Sequence, residues 1–449
     1  MGYDRKIVMV GGGSYNWCPR LLCDLVQTPE LENSEVFLLD PNLAAAKEVK
    51  SAIDRICKDN GKKFSFTASA SEEMAFKDAD FVIITISTGG LEMMRHDLEV
   101  PERYGIYHTV GDSVGPGGWS RLLRNAPVFE KMTRKIEKFA PRAVVLNYTN
   151  PMAGLTGAIC ATSKLRSVGL CHGVMGTLIY LSRAMGVEEK DLSLRYGGVN
   201  HFFWILDFKV KGEDGYPLLR KKLGSSSLLK FDKSSRDPAG FSDNSHELFS
   251  EIFEHYGHLT YSADRHTSEF FPAYITEPAM IKKFKLIRTS VEDRRKGLKT
   301  SRQLTLDLIS GKEKVLKRSR ETAVDIIRAI ATNTPFIDVV NLPNIGQIDN
   351  LPRGAVVETL GLVDGAGFAP IGIGAMPEVL QAITEVHCQV QKMTLEAALT
   401  GNRKLALEAL MLDPLCAKLA PSDIRKMGLE LMEATREYLP QFKAKTKCE

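Results

Sequence analysis

KIVMVGGGSYNW, residues 6–17, decides the fold. An apolar, largely β-branched run stops at three glycines, and a helical pattern begins at once. A strand that turns through glycine into a helix is how a dinucleotide-binding βαβ unit opens. Gly11 and Gly13 fill the first two positions of the G-x-G-x-x-G pattern. Gly11 permits the tight turn, and Gly13 lets a pyrophosphate approach the backbone. The helix start, with Ser14, Tyr15 and Asn16, offers N–H donors to a phosphate. The third glycine position holds Asn16, so the pattern is incomplete. Asp40 ends the next apolar run, where a carboxylate holds a ribose 2′-OH and favours NAD over NADP.

Working outward, apolar runs without alternation recur at 35–40, 63–69, 78–87, 143–149 and 167–171, with helical patterns at 17–28 and 42–59. Strands buried on both faces read this way, so we expect a doubly wound parallel sheet. The second half differs. We expect a long strand at 194–212, a Ser-, Asp- and Lys-rich loop at 225–245, and helices at 245–256, 291–310, 314–332 and 377–437. VVETLGLV (356–363) adds a strand. The expected organisation is a Rossmann-like NAD-binding domain (1–195) and a mixed α+β domain binding substrate and metal (196–449).

Composition narrows the class. Charged residues make up 25% of the 449, and the net charge of +4 is dispersed, so neither nucleic acid nor an anionic membrane is indicated. No apolar stretch approaches the ~18–20 residues of a membrane span. Eight scattered cysteines without a CxxC, behind an N-terminus that enters a strand directly, read as reduced thiols in a cytoplasmic protein.

In a doubly wound sheet, ligands lie beyond the carboxyl ends of the strands. Three stretches fall there: ITISTGG with Ser87, NYTNP with Asn150, and GLCHG with Cys171 and His172. Asn150 suits a nicotinamide ribose or a substrate hydroxyl. The Cys–His pair admits three readings: nucleophile and base, metal ligands, or core filler. If 167–171 is a strand, neighbouring side chains point to opposite faces and cannot meet as nucleophile and base.

GGGS, GPGG (115–118), NYTNPM (147–152), GLCHG (169–173), GGVNH (197–201) and DNLP (349–352) occur in this order. Together they resemble glycoside hydrolase family 4, the NAD- and metal-dependent glycosidases, which share a core fold with lactate and malate dehydrogenases. The resemblance implies a redox-neutral route: oxidation at the sugar C3 by NAD⁺, removal of the acidified C2 proton, elimination of the leaving group, addition of water and re-reduction. It places metal ligands at Cys171 and His201, for Mn²⁺ first, with Co²⁺, Ni²⁺ or Fe²⁺ also suited. It offers Asp264 of DRHTSEF as the C2 base, with Tyr261 as the second candidate, and turns Asp112 and His172 towards the sugar.

GDSVGPGG, DRHxxEF and NLPNxGQ together resemble the α-galacturonidase branch, which implies an oligogalacturonide-type substrate. A uronate needs a cation, and Arg265 and Arg121 lie nearest the motifs. α-Galactosidase, α-glucuronidase and α-glucosidase activities are the alternatives within the family. A lactate/malate-type dehydrogenase and an inactive NAD-sensing protein are the alternatives outside it. The family also implies a homodimer or homotetramer.

Overall fold

The computed structural model describes residues 5–231 and 245–442. In its first half the strands are β1 (Lys6–Val10), β2 (Glu35–Leu39), β3 (Ser65–Ser69), β4 (Phe81–Ile84), β5 (Val144–Asn147) and β6 (Arg166–Gly169). They pair in parallel in the order β6-β5-β4-β1-β2-β3, the doubly wound arrangement expected. β4 and β5 are buried along their whole length, which is why they lack alternation. The helices of this half are α1 (Cys18–Val26), α2 (Leu43–Asp59), α3 (Glu72–Phe76), α4 (Gly90–Glu102), α5 (Gly115–Phe139), α6 (Met152–Thr162) and α7 (Gly173–Met185).

The second half does not form a separate sheet. Its strands are β7 (Leu192–Val199), β8 (Phe202–Val210), β9 (Glu213–Asp214), β10 (Leu259–Thr260), β11 (Phe336–Pro343), β12 (Val356–Asp364) and β13 (Gly367–Pro370). They extend the first sheet from β6 in the order β11-β12-β7-β8-β10, antiparallel, giving 13 strands among the described residues. The helices are α8 (Gly215–Leu223), α9 (Glu247–Tyr256), α10 (Asp264–Thr267), α11 (Pro272–Ile275), α12 (Pro278–Lys283), α13 (Val291–Ser310), α14 (Ala323–Thr332), α15 (Glu378–Thr400), α16 (Arg403–Leu412) and α17 (Pro421–Ala434). No described helix is long and apolar enough to cross a membrane.

Four expectations change. The long strand at 194–212 is a hairpin, β7 and β8, turning at Asn200–His201, so His201 is a turn residue with φ 66°. The strand expected at 167–171 ends at Gly169, so Cys171 and His172 lie beyond it. The helix expected at 314–332 begins only at Ala323. The region 377–437 is three main helices, interrupted where Gly401 takes φ 72° and where Pro414 and Pro421 restart the chain. Most of the loop expected at 225–245 lies outside the described residues.

The hairpin is held by its apolar filling. Phe202, Phe203, Trp204 and Ile205 are fully buried, and each contributes roughly 2–3 kcal/mol by leaving water. Phe202 stacks on Phe270 at 4.7 Å, and Trp204 Nε1 donates to Thr384 Oγ1 at 3.2 Å. These contacts fix the turn that carries His201.

Candidate active site

The glycine turn is closed on every side. Gly11 has φ 90°, and a Cβ there would lie 2.6 Å from the Thr85 carbonyl oxygen. A Cβ at Gly13 would meet Ala45 at 2.9 Å and Asp40 at 3.0 Å. Asp40 turns its carboxylate onto this loop, accepting from the Gly13 amide at 2.9 Å and the Asn42 amide at 2.8 Å. Ser14 Oγ accepts from the Trp17 amide at 3.4 Å. Tyr15 donates to Glu48 at 2.7 Å, and Asn16 Oδ1 accepts from Ser301 of α13. This close backbone approach, at the carboxyl end of β1 and before α1, fits a dinucleotide pyrophosphate.

At the same edge of the sheet lies a cluster drawn from three separate stretches. One ligand-capable atom each of Asp112, His201 and His266 falls within 4.8 Å of the other two. The rings of His201 and His266 are 4.1 Å apart. Ser113 Oγ donates to Asp112 Oδ1 at 2.8 Å and lies 2.8 Å from His201 Nδ1. Asn150 Nδ2 donates to the second oxygen, Asp112 Oδ2, at 3.2 Å. Burial works to raise the Asp112 carboxyl, but the positive charge of His266, His201, Arg121 and Arg294 outweighs it and holds the group below the ordinary carboxylate range. Burial pushes both imidazoles down. The carboxylate is thus held ionised and the imidazoles neutral, and a set of neutral imidazole nitrogens with one carboxylate fits a divalent first-row ion such as Mn²⁺.

Residues 108–113 are carried by one buried carboxylate. Glu269 Oε1 accepts from the amides of Thr109, Val110 and Gly111 at 2.9, 2.8 and 2.9 Å. His108 Nδ1 lies 3.0 Å from the same oxygen, and His108 Nε2 accepts from Gly117 at 3.2 Å. Three consecutive amides converging on one oxygen form an anion nest, and here the anion is internal. The nest sets the direction in which Asp112 leaves the loop and enters α5.

The other expected site residues are distributed around this centre. Cys171 accepts from the Gly173 amide at 3.4 Å, and burial pushes its thiol far up. It lies outside the three-residue cluster but within reach of Asn200, the neighbour of His201. His172 Nδ1 lies 2.8 Å from Glu321 Oε1. Tyr261 stacks near His201 and His266, with ring centroids 5.9 and 5.8 Å away. Asp264 faces elsewhere: its oxygens accept from the Leu248 and Phe249 amides at 3.0 and 2.9 Å, closing the N-terminus of α9. Burial raises the Asp264 carboxyl to about 7 despite those amides. Arg121 donates to the Asn150 carbonyl and to Ser87 Oγ, both at 3.2 Å.

Three residues at this centre were not singled out in the sequence: His266, Ser113 and Glu269. All three lie inside quoted motifs, GDSVGPGG and DRHTSEF, one to four residues from side chains that were.

The chain matches the model described as Family 4 glycosyl hydrolase over residues 6–187 and that of the Family 4 glycosyl hydrolase C-terminal domain over residues 196–416. An α-galacturonidase of Lachnoclostridium phytofermentans is 32% identical over 98% of this chain and 97% of its own length. A solved Bacillus subtilis structure, described as that of a glucosidase, superposes with a TM-score of 0.86 at 31% identity, covering 96% of this chain and 100% of the other. The 6-phospho-β-glucosidase of Thermotoga maritima, solved with manganese, NAD⁺ and glucose-6-phosphate, superposes at a TM-score of 0.78 and 25% identity, covering 97% and 99%.

Proposed function

This chain belongs to the family 4 glycosyl hydrolases, and from that premise we propose that it cleaves α-linked galacturonic acid from oligogalacturonide-type substrates, using NAD⁺ and a divalent ion. The observation that carries this reading is the Asp112–His201–His266 cluster lying at the same carboxyl edge of the sheet as the Gly11–Gly13 turn. The full-length α-galacturonidase relative supports the choice of sugar. A lactate/malate-type dehydrogenase is not favoured by any of these features.

When bound, NAD⁺ supplies a hydride acceptor at C3, and the ion polarises the sugar 2- and 3-oxygens. His201, Asp112 and His266 are the side chains placed to hold the ion, with Cys171 as the further family-implied ligand. Gly11, Gly13 and the start of α1 would hold the pyrophosphate, Asp40 would take the adenosine ribose, and Asn150 and Ser87 would meet the nicotinamide ribose. Tyr261 borders the histidine pair, whereas the Asp264 oxygens serve α9. We therefore assign C2 deprotonation to Tyr261 as its phenolate, which the charge of a bound ion would have to favour against burial that raises the hydroxyl, with Asp264 supporting the DRH turn. A ketone at C3 would make that proton removable, and re-reduction after elimination and hydration would leave the cofactor without net change. Residues 1–195 carry the cofactor and contribute Asp112 and Cys171 to the ion site, which residues 196–449 complete with His201 and His266, in a homodimer or homotetramer.

The test uses nitrophenyl α-galacturonide with NAD⁺, Mn²⁺ and reductant. Nitrophenol is expected to appear without net NADH. Steady accumulation of NADH sinks the glycosidase reading, and a faster nitrophenyl α-galactoside or α-glucoside moves the assignment within the family.

A further inference from the structure

The arginines of this site differ in how they are partnered. Arg121 is hydrogen-bonded to Asn150 and Ser87. Arg124, fully buried, pairs with Asp97 and also donates to the Thr88 carbonyl at 3.1 Å. On α13, Arg295 pairs with Glu92 and Arg302 with Glu48. Arg265 and Arg294 are different: among the described residues neither guanidinium has a hydrogen-bond or ion-pair partner, and Arg265 Nε is buried without one. Both side chains are partly buried. A partly buried guanidinium carries five donors that cannot be discharged by losing a proton, so this pair is open to an acceptor from outside the chain, solvent or ligand.

Both are fixed at the edge of the cluster. The Arg265 carbonyl accepts from Thr109 Oγ1, and the Thr289 amide donates to the Thr109 carbonyl at 2.8 Å. α13 begins two residues later, capped by Ser290, with Val291 packed against Met94 and Leu98. Arg294 follows one turn on. Its charge reaches Asp112, Arg121, Arg265 and His266. The carboxylates nearby are already committed. Asp112 is held by Ser113 and Asn150, and Glu269 by the three-amide nest. The charges of Arg265 and Arg294 thus act on one another at the edge of the cluster, within the influence of Asp112, and among the described residues neither guanidinium is hydrogen-bonded to a carboxylate of the protein.

We propose that Arg265 and Arg294 form a subsite for the C6 carboxylate of a uronic acid. This rests on the galacturonide reading and gives it a physical basis. A carboxylate is planar and matches the guanidinium fork, and placed between the two it neutralises their repulsion. A neutral hexose brings only a hydroxyl there and leaves the repulsion in place, so the pair selects against it as well as for the uronate.

The experiment compares wild type, Arg265→Gln and Arg294→Gln, each loaded with NAD⁺ and Mn²⁺, on nitrophenyl α-galacturonide, α-galactoside and 6-phospho-α-galactoside. The galacturonide-to-galactoside ratio of kcat/KM is expected to fall about 10- to 100-fold in each variant, through KM, as loss of a charge-assisted pair dictates. Arg294→Lys, which keeps the charge but not the fork, is expected to fall between. A wild-type preference for galacturonide that survives in both variants overturns the subsite alone. A wild type that prefers the galactoside or the phosphorylated sugar removes the galacturonide reading and the subsite together. Should a variant turn over neither sugar, calorimetric titration with free galacturonate and galactose replaces turnover. Weakening of galacturonate alone supports the subsite, and unchanged galacturonate affinity overturns it.

Discussion

Ser113 Oγ lies 2.8 Å from Nδ1 of His201 while donating its single proton to Asp112 Oδ1, also at 2.8 Å. A hydroxyl has one proton to give. Having given it to the carboxylate, Ser113 accepts from His201, so the imidazole carries its hydrogen on Nδ1 and presents the Nε2 lone pair. Fixing a ligand's tautomer from behind is what outer hydrogen bonds contribute to a metal site. Ser113→Ala is expected to weaken Mn²⁺ binding about 10- to 100-fold, read by electron paramagnetic resonance of free Mn²⁺, with NAD⁺ affinity unchanged. Ser113→Thr keeps the hydroxyl and is expected to recover most of the loss. Equal Mn²⁺ affinity in wild type and Ser113→Ala refutes the tautomer argument.

The Cys171 assignment makes a separate prediction. If the thiol joins His201 on the ion, Cys171→Ser abolishes turnover and weakens Mn²⁺ while sparing NAD⁺, and mild oxidation does the same until reductant and Mn²⁺ are restored. Full activity in Cys171→Ser removes it from the site and leaves Asp112, His201 and His266 as the protein ligands.

Glu269 acts on Asp112 through the backbone. Its charge is matched to three amides and to His108, and Glu269→Gln retains the shape while removing the charge. The expected cost is about 1–3 kcal/mol, seen as a lower Tm, together with weaker Mn²⁺ binding as Asp112 loses its fixed direction. A lower Tm with wild-type Mn²⁺ affinity confines Glu269 to stability and separates the loop from the metal site.

The sequence made the cofactor half legible because its signals are local. Gly11, Gly13 and Asp40 lie within one βαβ unit, and their spacing is set by the turn they form. His201 was legible as a residue but not in its place, because the apolar run from Tyr196 to Val210 conceals the turn at Asn200. Both strands of the hairpin are continuously buried on either side of the turn, so no change of period marks the reversal. His266 was hidden by a nearby carboxylate. Which of Asp264 and His266 faces the cluster is decided by the α9 amides, supplied from sixteen residues upstream of Asp264. β11 was missed because FIDVVNLP follows a helix and owes its strand conformation to β12, whose register from Phe336↔Val363 to Pro343↔Val356 no short window contains. The partners of the site's arginines are likewise matters of tertiary contact, and the lack of partners at Arg265 and Arg294 among the described residues is visible only in the folded chain.

His387 provides a pH test remote from the chemistry. It lies on α15 beneath the hairpin, 5.8 Å from Phe202 and 4.9 Å from Phe270 between ring centroids. Its Nε2 lies 3.1 Å from the Phe270 carbonyl and donates to it, while Nδ1 is buried without a partner. A second proton would therefore sit on Nδ1 with no acceptor, in apolar surroundings, and burial accordingly lowers this group from 6.5 to about 4. In the unfolded chain the imidazole titrates near its ordinary value, so between pH 6.5 and 4 the unfolded state binds more protons than the native one. Stability is complete above about pH 6.5 and declines as the pH falls through about 4, by about 3 kcal/mol for a shift of this size. His387→Gln can still donate to the Phe270 carbonyl but cannot be protonated. Thermal unfolding between pH 7 and 4.5 is expected to show a shallower loss of Tm in the variant than in wild type. Parallel profiles would mean that the imidazole titrates alike in both states, and the buried neutral histidine would then have to be abandoned.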